Sequence, residues 1–248
     1  MTRLSLADRT DATGLAAFLT RQLKWDRAAA VRLRASGDGV LAAFSRPARF
    51  EVLAVRTSRL APVAFGTAGL PAAAPAVAEP GAGAAGGAGA EIDATVSAGQ
   101  LLHGIDEGAA SLAVPPAVTG PSWAGVLPPR GQWRRVAEPS LAEVRAEAAA
   151  VVAEFRSRSE ALHDTQRTRS ALDTLAEEIW NRPLPGTGLP LRAVHAAHAL
   201  GFLQPGADPS AEDVPVPVLA AGAWLRLRTP HGSTAIRVGR PGLSLTPL

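Results

Sequence analysis

The 248-residue sequence predicts an α+β fold, in which small antiparallel sheets pack against helices. Three observations carry that expectation. Ala30 to Ala35 (AVRLRA) alternates apolar and charged residues, as a half-buried strand does. Ser140-Leu-Ala-Glu143 is a capping box, followed by Leu141, Val144, Ala148, Val151 and Phe155 at helical spacing. Ala223 to Thr229 (AWLRLRT) and Thr234 to Val238 (TAIRV) flank Pro230-His231-Gly232, the pattern of a hairpin.

Near the N-terminus, Thr10-Asp11 caps a helix through Leu23 whose Leu15, Phe18, Leu19 and Leu23 share one face. Gly37-Asp38-Gly39 is a turn signal, and Val40 to Ser45 and Phe50 to Arg56 read as two further strands. Pro71 to Ala90 is Pro, Gly and Ala except for Val77 and Glu79, too little apolar surface to offset chain ordering. Ile92 to Val96 reads as a strand and Ala98 to Ile105 as a short helix. Residues 113–139, rich in proline and holding Trp123 and Trp133, read as an irregular packed loop. After the capping box the apolar stripe fades from Arg156 to Ser170. It returns behind a second cap at Ser170, so two helices or one long helix both fit. Pro190 opens a last helix ending near Gly201, and Val214 to Leu219 reads as an edge strand, because Pro215 and Pro217 cannot donate to a ladder.

The expected organisation is a small α+β domain over 1–62, a flexible Ala/Gly/Pro-rich linker over 63–90, and a second α+β domain over 91–248 with central helices and the hairpin. Val31-Arg-Leu-Arg34 echoes Leu225-Arg-Leu-Arg228, and the same offset aligns Arg46-Pro47 with Arg240-Pro241. A degenerate duplication of a helix-plus-hairpin unit would produce that echo, as would chance in a Leu/Arg-rich chain.

Charge excludes less than it first suggests. The isoelectric point near 10.7 resembles that of a nucleic-acid binder, yet 25 Lys+Arg face 22 Asp+Glu. With no Cys or Tyr and one lysine, Lys24, little titrates between neutral pH and the arginine range. The high value therefore reports missing titratable groups rather than a strong positive field. Zero cysteine excludes disulfides, thiolate metal sites and Cys nucleophiles, and neither a signal-peptide core nor a membrane helix is legible. A cytoplasmic location, with no membrane partner, is the expectation.

No catalytic motif sits in the context its chemistry needs. Gly81-Ala-Gly83-Ala-Ala-Gly86 matches the dinucleotide fingerprint, but lacks the preceding strand and following helix that would aim amides at a pyrophosphate. Gly120-Pro-Ser122-Trp-Ala124 lacks the final glycine of a nucleophile elbow. Glu177 and Glu178 diverge by about 100° on a helix and do not form an acid/base pair unaided. His195 and His198 share a helix face and could begin a metal site if His163, Asp164 or His231 joined them. Partly buried structural histidines fit the alanine-rich surroundings better, and no metal or other cofactor is expected.

The binding candidates are cationic. Arg32 and Arg34 share one strand face, as do Arg226 and Arg228, and such rows grip phosphate or an acidic protein surface. Arg237 lies on the partner strand of the hairpin. Trp224 with its flanking arginines, and Trp133 beside Arg134 and Arg135, offer stacking platforms. The expected function is non-catalytic binding or regulation through another protein. Two alternatives stand beside it: an enzyme of unassigned class, and nucleic-acid binding by a winged-helix-like C-terminal half. For the latter, Ala197-x-x-x-Gly201 resembles a fragment of a helix-turn-helix signature, but no recognition helix is legible after it.

Overall fold

Alternation of apolar and polar residues builds the centre of the molecule as strands with one buried and one outward row. The computed structural model describes residues 2–48, 50–62, 91–163, 165–205 and 214–238. The linker expected at 63–90, with its Gly81–Gly86 pattern, lies outside the described residues.

The N-terminal part contributes β1 (Arg3–Ser5), α1 (Arg9–Trp25), β2 (Ala30–Ser36), β3 (Val40–Ser45), β4 (Leu53–Arg59), β5 (Glu91–Ser97), α2 (Ala98–His103), β6 (Ile105–Asp106) and β7 (Ser111–Ala113). A 3-10 turn over Ser122–Gly125 comes next, then β8 (Arg134–Ala137), α3 (Leu141–Glu160), α4 (Arg169–Trp180), α5 (Leu191–Ala199), β9 (Val218–Ala221), β10 (Trp224–Thr229) and β11 (Gly232–Arg237). The fold is α+β, as expected. Among the described residues there is an eight-stranded sheet of order β5-β2-β3-β4-β11-β10-β9-β8 and a three-stranded sheet of order β1-β7-β6, all antiparallel.

The large sheet runs through both segments expected as separate domains. β5 opens the second of those segments, yet it pairs with β2 along its whole length. The central junction is β4 against β11, with Val55 opposite Ser233 and Ala54 opposite Thr234. On each side of that junction the chain makes a helix and then a three-stranded meander: α1 before β2-β3-β4, and α5 before β9-β10-β11. The repeated topological unit is thus longer than the expected helix plus hairpin. The echo of Val31–Arg34 in Leu225–Arg228 joins the first strand of one meander to the second of the other, so it does not mark equivalent positions.

Several local boundaries differ from the sequence expectation for identifiable reasons. Asp8, not Thr10-Asp11, caps α1 by accepting from the Asp11 amide. Asp11 is buried one turn in, where it binds the Arg59 amide at 3.1 Å. The strand expected from Phe50 starts at Leu53, because Glu51 takes a φ of 52° and breaks the extended run. The stretch between Arg156 and Ser170 divides two helices, and Thr168 caps the second. β9 begins only after Pro217 and is not an edge, since β8 from the expected loop pairs with its outer side.

One face of the large sheet is covered by helices. Val31, Leu33, Leu41, Ala54 and Leu227 are all almost fully buried and form one core with Phe18 and Leu19 of α1 and Val194 and Ala197 of α5. The opposite face carries Arg32, Arg34, Phe44, Val55, Arg226 and Arg228, set by the same two-residue period and by cross-strand register.

Candidate functional site: the outer face of the sheet

Register alone aligns this face. Thr95, Arg32, Phe44, Val55, Ser233 and Arg228 lie opposite one another across β5, β2, β3, β4, β11 and β10. Asp93, Arg34, Ala42 and Thr57 form the neighbouring row on one side. On the other side lie Leu53, Ala235, Arg226 and Leu219.

The arginines are balanced very differently. Arg32 binds Asp93 at 2.7 Å, and Arg34 lies 3.7 Å from the same carboxylate, with its buried Nε making no hydrogen bond. Arg226 donates from Nε to the Ser233 hydroxyl at 2.9 Å and lies 5.6 Å from the centroid of the Trp133 ring. Trp133 is anchored by its indole N–H, which donates to the Pro129 carbonyl at 2.9 Å. That bond closes the Pro129–Trp133 turn on itself, and the contact with Arg226 is what joins it to the strands. Among the described residues no carboxylate lies within ion-pair distance of Arg226 or Arg228. Burial, and then repulsion from Arg228, lower the basicity of Arg226. The guanidinium stays charged at any physiological pH. A desolvated cation without a counter-charge is costly, and it attracts an anion that supplies one.

Two adjoining clefts open on this face and share Arg226 and Thr57. The first, of about 210 Å³, is lined by Arg34, Arg130, Phe44 and Val55, with Asp38 at the β2–β3 turn. The second, of about 400 Å³, lies between Arg228, Ser233, Pro217 and Pro230. Glu138 borders the second, but its carboxylate is held by Arg135 at 2.5 Å. Arg237 is exposed and Trp224 half-buried on the same face, beside one another across β10 and β11. Both candidate arginine pairs therefore lie on this one surface. Arg130, Thr57 and Ser233 carried no signal in the sequence, because single residues in a loop and on separate strands meet only through the fold.

The histidine pair lies elsewhere. His195 is stacked on Trp180 with centroids 4.2 Å apart, and Phe50 meets its ring edge at 5.2 Å. Burial, and then His198, push its pKa down to about 4, so the ring is neutral at pH 7. His198 is exposed. Asp164 lies outside the described residues. No group of three or more metal-ligating side chains is found among the described residues. Ser122 of the elbow-like segment is exposed at the start of the 3-10 turn. Glu177 pairs with Arg192, and Glu178 with Arg158. The Ala197–Gly201 spacing has a local cause: Gly201, at φ 73°, ends α5, and Phe202 donates back to Ala197. α5 buries Leu191–Val194, Ala196 and Ala197, and Thr234 of β11 donates to its Ala193 carbonyl.

No helix among the described residues is long and apolar enough to cross a membrane. Residues 1–125 match the family model described as domain of unknown function DUF8010, and residues 128–241 match domain of unknown function DUF8185. The first match covers half of the chain, which belongs to that family. No curated protein matches the chain.

Proposed function

We propose that the protein is a non-catalytic cytoplasmic binding module that takes an acidic segment of another protein on the outer face of its large sheet. One observation carries the reading: Arg226 is desolvated on Trp133 beside Arg228, with no carboxylate on either among the described residues. Arg56 is also desolvated, which lowers its basicity, but it donates to the His231 carbonyl and lies in the field of Asp11, which acts to raise it. Buried Arg192 holds Glu51 at 2.9 Å and Glu177 at 2.7 Å. The surface supplies cations, hydroxyls and a stacked indole, with Asp38 and Asp93 at the Arg34 end and Glu138 held by Arg135, but no nucleophile with a base beside it, so recognition rather than bond breaking fits its chemistry. A cytoplasmic setting agrees with a chain that uses no cysteine.

Fluorescence anisotropy of labelled decapeptide pools, acidic against neutral, tests the proposal. The acidic pool binds, and binding weakens as salt rises, because exposed charges are screened. The double variant Arg226→Ser/Arg228→Ser keeps its circular dichroism and loses that binding. Unchanged binding by the double variant, or tighter binding of a DNA duplex than of any acidic peptide, overturns the proposal.

A further inference from the structure

We infer that the cleft between Arg226, Arg228, Ser233 and Thr57 anchors a phosphorylated serine or threonine of the bound segment. The inference rests on the binding reading above and narrows its ligand. Arg226 and Arg228 are two residues apart on one face of β10, so their Cα atoms are about 7 Å apart along the strand. A carboxylate presents two oxygens and one charge, which one guanidinium saturates in the paired fork geometry. A phosphate monoester presents three diverging oxygens and nearly two charges. It reaches both guanidinium groups at once, and it offsets the repulsion between them.

The hydroxyls complete the donor set. The Ser233 oxygen already accepts from the Arg226 Nε, which leaves its own O–H free to donate. Thr57 is exposed on the shared wall of the two clefts. The only carboxylate on the cleft lining among the described residues, Glu138, is engaged by Arg135. Pro217 and Pro230 line the same cleft and add apolar walls. The adjoining cleft, lined by Phe44, Val55, Arg34 and Arg130, receives the side chain two residues along the same peptide. An extended segment lying over both clefts presents alternate side chains to them.

Three fluorescein-labelled decapeptide pools, identical except for a central phosphoserine, glutamate or serine, test the inference against the full chain. The phosphoserine pool binds about tenfold more tightly than the glutamate pool, as expected when a second charge-assisted pair forms. Inorganic phosphate competes with it. Arg228→Ser, an exposed position whose folding is checked by circular dichroism, brings the phosphoserine pool to the level of the glutamate pool. Arg130→Ser weakens both acidic pools and keeps the preference. Equal affinity for phosphoserine and glutamate overturns the phosphate inference and leaves the acidic-segment reading standing. A preference that survives Arg228→Ser overturns the location. Equal affinity for all three pools overturns both readings.

Discussion

Arg226 and His195 show the same physics in opposite settings: each is a titratable group brought out of water, and its neighbours set the outcome. Arg226 cannot shed its charge, so burial turns it into a demand for an anion. His195 sheds its proton, and between Trp180 and Phe50 it is an aromatic spacer. Its pKa is about 4 folded against 6.5 for the free side chain. Between those values the unfolded chain binds the proton and the folded chain does not. Stability contributed by this site is therefore complete above about pH 6.5 and is lost as pH falls towards 4, by up to about 3 kcal/mol. His231, lowered by burial and by Arg56, acts in the same direction. The lowered carboxylates Glu154, Glu177 and Glu178 matter only below their ordinary value of 4.5. Melting temperature measured from neutral pH down to about pH 5 thus isolates the histidines. The His195→Phe variant keeps the stack and shows a much flatter profile. An unchanged profile in that variant shows that His195 is not the group that titrates.

At the scale of elements, β10 carries a core row and a cationic row within one strand. Leu227 is 0% exposed in the core below it, and Arg228 is exposed above it. Leu227→Ala removes buried methyl groups and destabilises by about 2–5 kcal/mol, while Arg228→Ser stays within about 0.5 kcal/mol. Urea unfolding of both variants measures the contrast, and a tolerant Leu227 with a costly Arg228 means the two faces are exchanged. This alternation was legible from the residues, as were the inward row of β2 and the capping box of α3. Each of those signals lies within one turn or one strand. β8 was not legible: Arg134–Ala137 is four residues among prolines and tryptophans, and its partner β9 lies beyond three helices. The start of β4 was hidden by Phe50, an apolar residue that packs sideways against Trp25 and His195 instead of extending the strand. The candidate site divides the same way. Its arginine pairs show in the sequence as alternation. The platform was expected between Trp133 and its neighbours Arg134 and Arg135, but the guanidinium over that ring comes from Arg226, and only strand pairing brings it there.

At the scale of the molecule, the two family matches meet along β4 and β11, and the contact extends well beyond that ladder. Phe18 of α1 stacks on Phe202 at 5.8 Å, Arg192 of α5 binds Glu51, and the Arg56 guanidinium donates to the His231 carbonyl. Leu53, Ala54 and Val55 on one edge and Ser233, Thr234 and Ala235 on the other are all buried. Cutting the chain between the matches leaves each piece with an unpaired sheet edge that is buried in the intact chain, and such an edge pairs with other chains or fails to order. The helix-side core is also continuous across the junction, so neither piece keeps a closed core. Residues 1–126 and 127–248 produced separately are therefore expected to aggregate or to lack cooperative unfolding. Co-produced, they form a one-to-one complex with the circular dichroism of the intact chain. The intact chain unfolds in a single calorimetric transition, since losing either half strips the other of its central strand partner. The face proposed for binding shares this dependence: the first cleft takes Arg34 and Phe44 from one half and Arg130 and Arg226 from the other. Acidic-peptide binding should consequently be absent from each piece and return with the complex. Two independently folded monomers, each with its own sharp transition, would show that the β4–β11 ladder is dispensable and that the clefts are not shared between the halves.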